Sequence, residues 1–222
     1  MNIMAEPQWE RTAKTKMGIY LTSIETAFIL KSVDFDHKTI ADLGSGGGKF
    51  SILALRKSAY VISLDRDLGS LKWLKSRDHS SNVILGDVTA LPLRENTVDI
   101  LFLIEIFDYV TETKTLLREM YRILKEQGSL ILSFGNTSSL KSRLRRLRKK
   151  YYVQDAYSYG EAVQLLNRFN FRIIQEEGYN WLLLNRESNN KFIPFFGKIV
   201  RLLRLDKLSV ISPWIIVCAS KC

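Results

Sequence analysis

Three glycines at alternate positions, Gly44, Gly46 and Gly48, separate a short apolar strand, Thr39-Ile-Ala-Asp-Leu, from the helical repeat Phe50, Leu53, Ala54. A strand that turns into a helix through alternate glycines lets the backbone lie flush against a ligand, because no Cβ intervenes. Asp42 sits two residues ahead of the first glycine. A pyrophosphate at a helix N-terminus is held by N–H dipoles and repelled by an added carboxylate. An ammonium or sulfonium is attracted by one.

The dinucleotide fingerprint, counted from Gly44, would put its last glycine at Lys49, where a long cation spoils close helix–strand packing. The turn therefore favours S-adenosylmethionine (SAM) over NAD. Three later strands also end in acids. Tyr60-Val-Ile-Ser-Leu runs into Asp65 and Arg66, and an acid at the tip of the second strand can accept hydrogen bonds from ribose hydroxyls. Asp67 precedes the repeat Leu68, Leu71, Leu74 and reads as a helix N-cap. Asn82-Val-Ile-Leu leads to Gly86-Asp87-Val88, where Asp87 could accept from an adenine amino group while Val88 packs on the ring. The strand from Thr97 to Ile104 ends at Glu105.

This ordered set resembles the class I SAM-dependent methyltransferases, and within them the small-molecule branch of the ubiquinone and menaquinone methyltransferases. The matching residues are Asp42-Leu-Gly-Ser-Gly-Gly-Gly, Asp65, Gly86-Asp87-Val88 with Leu91-Pro92, and Val98-Asp99-Ile100. Ile104-Glu-Ile-Phe-Asp-Tyr-Val and Leu124-Lys-Glu-Gln-Gly-Ser-Leu-Ile-Leu complete it, so the resemblance spans about residues 38–135. It implies a Rossmann-like α/β fold: a seven-stranded, mostly parallel sheet with helices on both faces and an antiparallel last strand. It implies SAM as cofactor, with S-adenosylhomocysteine as product. The implied cofactor residues are Asp42, Gly44, Ser45, Gly46 and Gly48 for the methionine portion, Asp65 with Arg66 for the ribose, Asp87 and Val88 for the adenine, and Ile104 and Glu105 for the amino group. Lys49 departs from the family, which usually carries a small residue, an aliphatic one or threonine there.

The rest of the chain alternates in the same way. Met17, Tyr20, Ile24 and Phe28 define one face of a helix ahead of the first strand. A helix is predicted from about Glu112 to Lys125, strands at Ser129–Phe134, from Phe171 toward Leu184, and at Trp214–Ala219, and a Ser158/Glu161 capping box opens another helix. With 222 residues, 46% of them apolar, the chain can bury one substantial core, so a single domain is expected. It contains no apolar run of the ~18 residues that spans a bilayer, no secretory signal, and only two cysteines, Cys218 and Cys222, without metal-site spacing. A cytoplasmic enzyme that uses no metal is the expectation.

Two segments exceed the minimal fold. A basic helical insertion at about 138–152 holds seven basic residues within Lys141–Lys150, out of a chain net charge of +10, and carries Leu140, Leu144, Leu147 and Tyr151 at helical spacing. A cap-like insertion at about 185–213 carries Phe195, Ile199, Leu202 and Leu203 with Lys198, Arg201 and Arg204 beside them. Such a face fits either the domain surface, as a cap over the active site, or the interface of an anionic membrane. The basic run fits a solvated face, an anionic lipid surface or nucleic acid. RNA readers usually add stacking aromatics, and only Tyr151 and Tyr152 adjoin the run.

The expected reaction is methyl transfer to a small, amphiphilic or lipid-linked acceptor. The alternatives are tRNA or rRNA methylation, or a non-catalytic cationic binding module on the same fold. Oxygen and carbon nucleophiles can need a proton removed, and the loop after the fourth strand offers Glu105, Asp108 and Tyr109 as catalytic candidates. The same loop lacks the Asn/Asp-Pro-Pro-Tyr pattern of related enzymes that methylate adenine or glutamine nitrogen. His37 and His79 both lie away from it in the sequence.

Overall fold

The computed structural model describes residues 6–147 and 157–222. Seven strands form one sheet: β1 (Thr39–Leu43), β2 (Tyr60–Asp65), β3 (Asn82–Leu85), β4 (Val98–Leu103), β5 (Leu124–Gly135), β6 (Phe171–Tyr179) and β7 (Trp214–Lys221). Their order is β3-β2-β1-β4-β5-β7-β6. The strands from β3 through β5 pair in parallel, while β7 runs antiparallel to both β5 and β6. This is the expected fold class.

Two apolar layers sandwich the sheet. Along β4, Ile100 and Phe102 face the layer built with Met17, Phe28, Phe50 and Ala54. Leu101 and Leu103 face the opposite layer, with Leu116, Leu117, Met120, Ala162 and Leu166. Alternation of this kind is what a strand buried on both faces requires. The helices are α1 (Gln8–Ala13), α2 (Lys16–Ser32), α3 (Lys49–Leu55), α4 (Leu68–Arg77), α5 (Thr113–Ile123), α6 (Leu140–Leu147), α7 (Tyr159–Arg168) and α8 (Ile193–Leu202). Local chemistry starts α4 and α7 as the sequence predicts. Asp67 accepts from the N–H groups of Gly69 and Ser70, and Ser158 and Glu161 form the reciprocal capping box.

Several boundaries differ from the sequence expectations. β5 begins five residues early, at Leu124, because Gln127 takes a left-handed backbone (φ 61°) and lets the strand pair with Val98 across a register shift. β6 stops at Tyr179, where Asn180 turns left-handed (φ 64°). The short helix α1 has no counterpart among the predicted elements. The buried face of α2 runs through Met17, Leu21, Glu25 and Phe28, leaving Tyr20 and Ile24 at its edge.

The insertions also depart from simple amphipathic packing. In α6 it is Lys141 that turns inward: its Nζ donates to the backbone and side-chain oxygens of Asn180, 2.9 and 2.7 Å away. Leu140 and Leu144 are exposed. Lys141 thus caps the end of β6 and leaves the expected solvated cationic face. The side chain of Leu147, and Tyr151 and Tyr152, lie outside the described residues. No helix among the described residues is long and apolar enough to cross a membrane.

Candidate functional site

The first four strands end on one side of the sheet, and a cavity of about 820 Å³ opens there. Its floor is the turn from β1 into α3. Gly44 (φ 71°) and Gly46 (φ 52°) adopt backbone that L side chains rarely reach, and a Cβ on Gly44 would lie 2.5 Å from the Ile106 side chain. The N–H groups of Gly44 and Ser45 donate to Leu64 O at 2.7 and 3.1 Å, and that of Gly46 donates to Asp65 Oδ2 at 2.8 Å. These three N–H groups are committed within the protein, so they are not on offer to a pyrophosphate.

Asp42 is buried, lines the cavity and accepts from Ser51 Oγ at 2.6 Å; Ser51 in turn accepts from Ser63 Oγ at 2.7 Å. Burial pushes the Asp42 carboxyl up to about 6, against the hydrogen bonds from Ser51 and the charge of Lys49. A cation placed against it would favour the ionised form. Asp65 ties the ends of β1 and β2 together, its second oxygen accepting from the Asp67 N–H at 2.9 Å. Asp87 accepts from both Thr89 N and Thr89 Oγ1 at 2.7 Å, and these bonds hold its carboxyl below the usual range.

Arg66, Val88, Ile104, Glu105 and Tyr109 also line the cavity. Gly48 and Asp108 do not. Gly48 is the left-handed N-cap of α3 (φ 79°), where a Cβ would sit 2.2 Å from Leu74 Cδ1, so helix packing accounts for it. Asp108 is buried behind the wall, accepting from Gly135 N at 2.7 Å, and burial raises its carboxyl to about 7.

Seven carboxylate side chains and three cationic ones line this cavity, in a chain whose net charge is +10. An acidic recess in a basic protein suits a ligand with positive charge. Ser45 Oγ is buried in the lining without a hydrogen-bond partner among the described residues. The glycine cradle, the buried Asp42 and this unused hydroxyl together fit SAM.

Residues 41–132 match the methyltransferase domain family. A malonyl-[acyl-carrier protein] O-methyltransferase of Methylococcus capsulatus is 31% identical over 127 residues, covering 54% of this chain and 44% of that protein. A demethylmenaquinone methyltransferase of Streptomyces avermitilis is 31% identical over 105 residues, covering 47% of this chain and 46% of its own length. The chain spans about half the length of the curated relatives it matches. In structure it is similar to a SAM-dependent methyltransferase of Thermotoga maritima described as a possible histamine N-methyltransferase. That likeness has a TM-score of 0.70 at 16% identity and covers 97% of this chain and 95% of the other.

Across residues 41–132 the chain carries a methyltransferase domain, and its fold is that of the SAM-dependent methyltransferases. SAM is the cofactor of that family. In this chain the cavity recruits side chains that the strand-end motifs did not reveal. From α1, Trp9 lays its ring over the glycine turn, 3.1 Å from where a Gly46 Cβ would stand. Glu10 pairs with Arg77 (3.1 Å), which also donates to Gly47 O at 3.1 Å. From the segment after β6 comes Arg186, ion-paired with Glu105, and from the start of β7 comes Trp214.

Arg186 is fixed from behind. Thr15 Oγ1 donates to its carbonyl at 2.7 Å, and Met17 N donates to Ser188 O at 3.0 Å. Burial alone would raise Glu105, but Arg186 and Lys49, with hydrogen bonds from Glu25 and Arg186, hold it below the usual carboxylate range. Glu105 itself sits in left-handed backbone (φ 62°), its N–H donating to Ser133 Oγ at 2.8 Å. One sequence signal did exist for this cluster. Glu25 falls on the apolar face of α2, and a charge there implies a buried partner. Among the described residues no three His, Cys, Asp or Glu side chains gather to hold a metal ion.

Proposed function

We propose that this chain transfers the methyl group of SAM to a small, amphiphilic or lipid-linked acceptor. The observation that carries the reading is that one cavity is lined both by the acids Asp42, Asp65 and Asp87 and by the apolar side chains of Trp9, Ile106, Val110 and Trp214. Asp42 and the glycine turn would hold the methionine portion, Asp65 with Arg66 the ribose, and Asp87 with Val88 the adenine. The backbone at Ile104 and Glu105 would meet the amino group.

Bound SAM supplies an electrophilic methyl on a sulfonium. The protein's part is alignment and exclusion of water. Trp9 and Trp214 would flank the acceptor, and Tyr109 at the rim would orient it or take its proton. Glu105, held ionised by Arg186, is a weak base and serves better as a positioning group. Asp108 lies behind the wall and does not reach the cavity, so it would serve as a buried structural acid rather than as the base. The relatives' names support this acceptor class, one acting on demethylmenaquinone and another on a malonyl group carried by a protein. A cytoplasmic enzyme working at a membrane surface would meet amphiphilic acceptors there.

The test is transfer of labelled methyl from SAM, offered separately to a lipid extract, a pool of soluble organic acids and total RNA. Label in the organic phase, dependent on Asp42, supports the proposal. Label only in RNA would replace the acceptor class, and SAM binding without transfer to any pool would favour the non-catalytic module.

A further inference from the structure

Helix α8 presents its apolar stripe away from the protein. Phe192, Phe195, Phe196, Ile199, Leu202 and Leu203 recur at the three- and four-residue spacing of one helix face. In a surface helix that face normally covers the core. Here Ile193 and Gly197 point inward instead, both buried against the domain. Gly197 fixes this orientation, because a Cβ on it would lie 2.7 Å from the Tyr20 ring of α2. The broad stripe is left in solvent: Phe195 is 59% exposed, Leu203 61% and Leu202 82%. Val210 and Ile211 extend it at similar exposure.

Cations border the stripe. Between Lys191 and Lys207 the chain holds five basic residues and one acid, Asp206. Asp206 lies 4.0 Å from Lys207, and no ion pair among the described residues engages Lys198, Arg201 or Arg204. Exposed aromatic and leucine side chains set among unpaired cations are the composition of a helix that lies in a bilayer interface. Charge complementarity selects anionic headgroups. The position is also apt. The same insertion delivers Arg186 to the cavity, and Asn136, one residue past the end of β5, donates to Val210 O and Ser212 O at 2.9 and 3.0 Å. The part of the exposed face at Val210 therefore stands by the carboxyl end of β5, the edge of the sheet where the cavity opens.

We infer that the outward face of α8 and the turns after it form a docking surface for an anionic lipid bilayer. The inference does not depend on methyl transfer. The test is flotation of the full chain, at near-physiological salt, with phosphatidylcholine vesicles that contain or lack phosphatidylserine, with and without excess RNA. Binding is expected only to the phosphatidylserine vesicles and to survive RNA.

Two triple variants separate the contributions: Phe195→Ser with Leu202→Ser and Leu203→Ser, and Lys198→Gln with Arg201→Gln and Arg204→Gln. At about fivefold per basic residue, the charge variant should lose roughly a hundredfold in partitioning. The apolar variant should lose at least about tenfold. S-adenosylhomocysteine binding by calorimetry should be unchanged in both. Amide exchange of the wild-type chain, which needs no variant, should slow across residues 192–211 when vesicles are added. Absence of vesicle binding, its removal by RNA, its persistence in both variants, or protection confined to other segments would each overturn the inference.

Discussion

Lys49 Nζ lies 3.0 Å from Glu25 Oε2, joining the helix that follows the glycine turn to a fully buried carboxyl on α2. Lys49 is the position at which this chain departs from the pattern of the methyltransferases it resembles, and Glu25 is the buried carboxyl that pairs with it. Glu25 also accepts from Tyr179 Oη at 3.1 Å. Burial, then the neighbouring Glu105, raise the Glu25 carboxyl, while Lys49 lowers it. A carboxyl raised in the folded state stabilises at low pH and loses that contribution as pH rises through its folded value. Removing Lys49 should raise that folded value further, so that the loss deepens and extends to higher pH.

Lys49→Met is therefore expected to cost about 1–2 kcal/mol near neutral pH, less than the ~3–5 kcal/mol of breaking a fully ionised buried pair. The cost should grow in alkaline buffer. Adding Glu25→Gln to Lys49→Met should restore part of the stability and flatten its pH dependence. Urea unfolding of the two singles and the double, across pH, supplies the cycle. Additive effects would mean that the two side chains do not communicate.

Asp42 combines burial with a task. Its carboxyl is raised from 3.8 to about 6, so the ionised form at neutral pH costs the free protein on the order of 3 kcal/mol at most. Asp42→Asn keeps an acceptor for Ser51 and removes that cost. The variant should be more stable than the wild type at neutral pH and bind SAM at least about tenfold more weakly. Wild-type affinity for SAM should itself fall as pH drops below about 6. Calorimetric titration and thermal melts on the same samples check both signs. Wild-type affinity in the variant would reject the cofactor assignment.

Much of this was legible in the sequence because strand-end motifs are local. Asp42, Asp65, Asp87 and the glycines are set by a few neighbouring residues, and the alternating pattern gives the parallel sheet. The missing parts come from distant segments. Trp9 reaches the glycine turn from a helix too short to show periodicity, and Arg186 arrives by a strap bonded to Thr15 and Met17. Lys141 reads as one cation of a run, yet it is buried because the left-handed Asn180 offers oxygens that only a folded chain brings near. The direction of the α8 stripe depended on one glycine meeting Tyr20.

Trp9 gives the clearest optical handle. Its ring covers Gly46 and Gly47 yet is 41% exposed, so a ligand entering the cavity must meet it. S-adenosylhomocysteine is expected to change the tryptophan emission of the wild type. Most of that change should vanish in Trp9→Phe, while Trp9→Ala should weaken binding by about tenfold, the scale of one large aromatic contact. An unchanged signal in Trp9→Phe would assign the response to Trp214 and remove α1 from the binding site.

Asp108 separates a base from a buried structural acid. Its Oδ2 accepts from Gly135 N, while Oδ1 has no partner among the described residues, and burial holds the carboxyl near 7. Because that folded value lies above the ordinary one, the group's stabilising contribution is lost as pH rises from about 4 through 7. Asp108→Asn should therefore stabilise the protein in mildly alkaline buffer and leave acidic stability nearly unchanged. Since Asp108 does not line the cavity, the variant is expected to keep kcat within about threefold, with the pH profile of kcat unmoved. If the alkaline plateau collapses while KM and the fold persist, Asp108 takes the acceptor's proton through the wall, and the base is found.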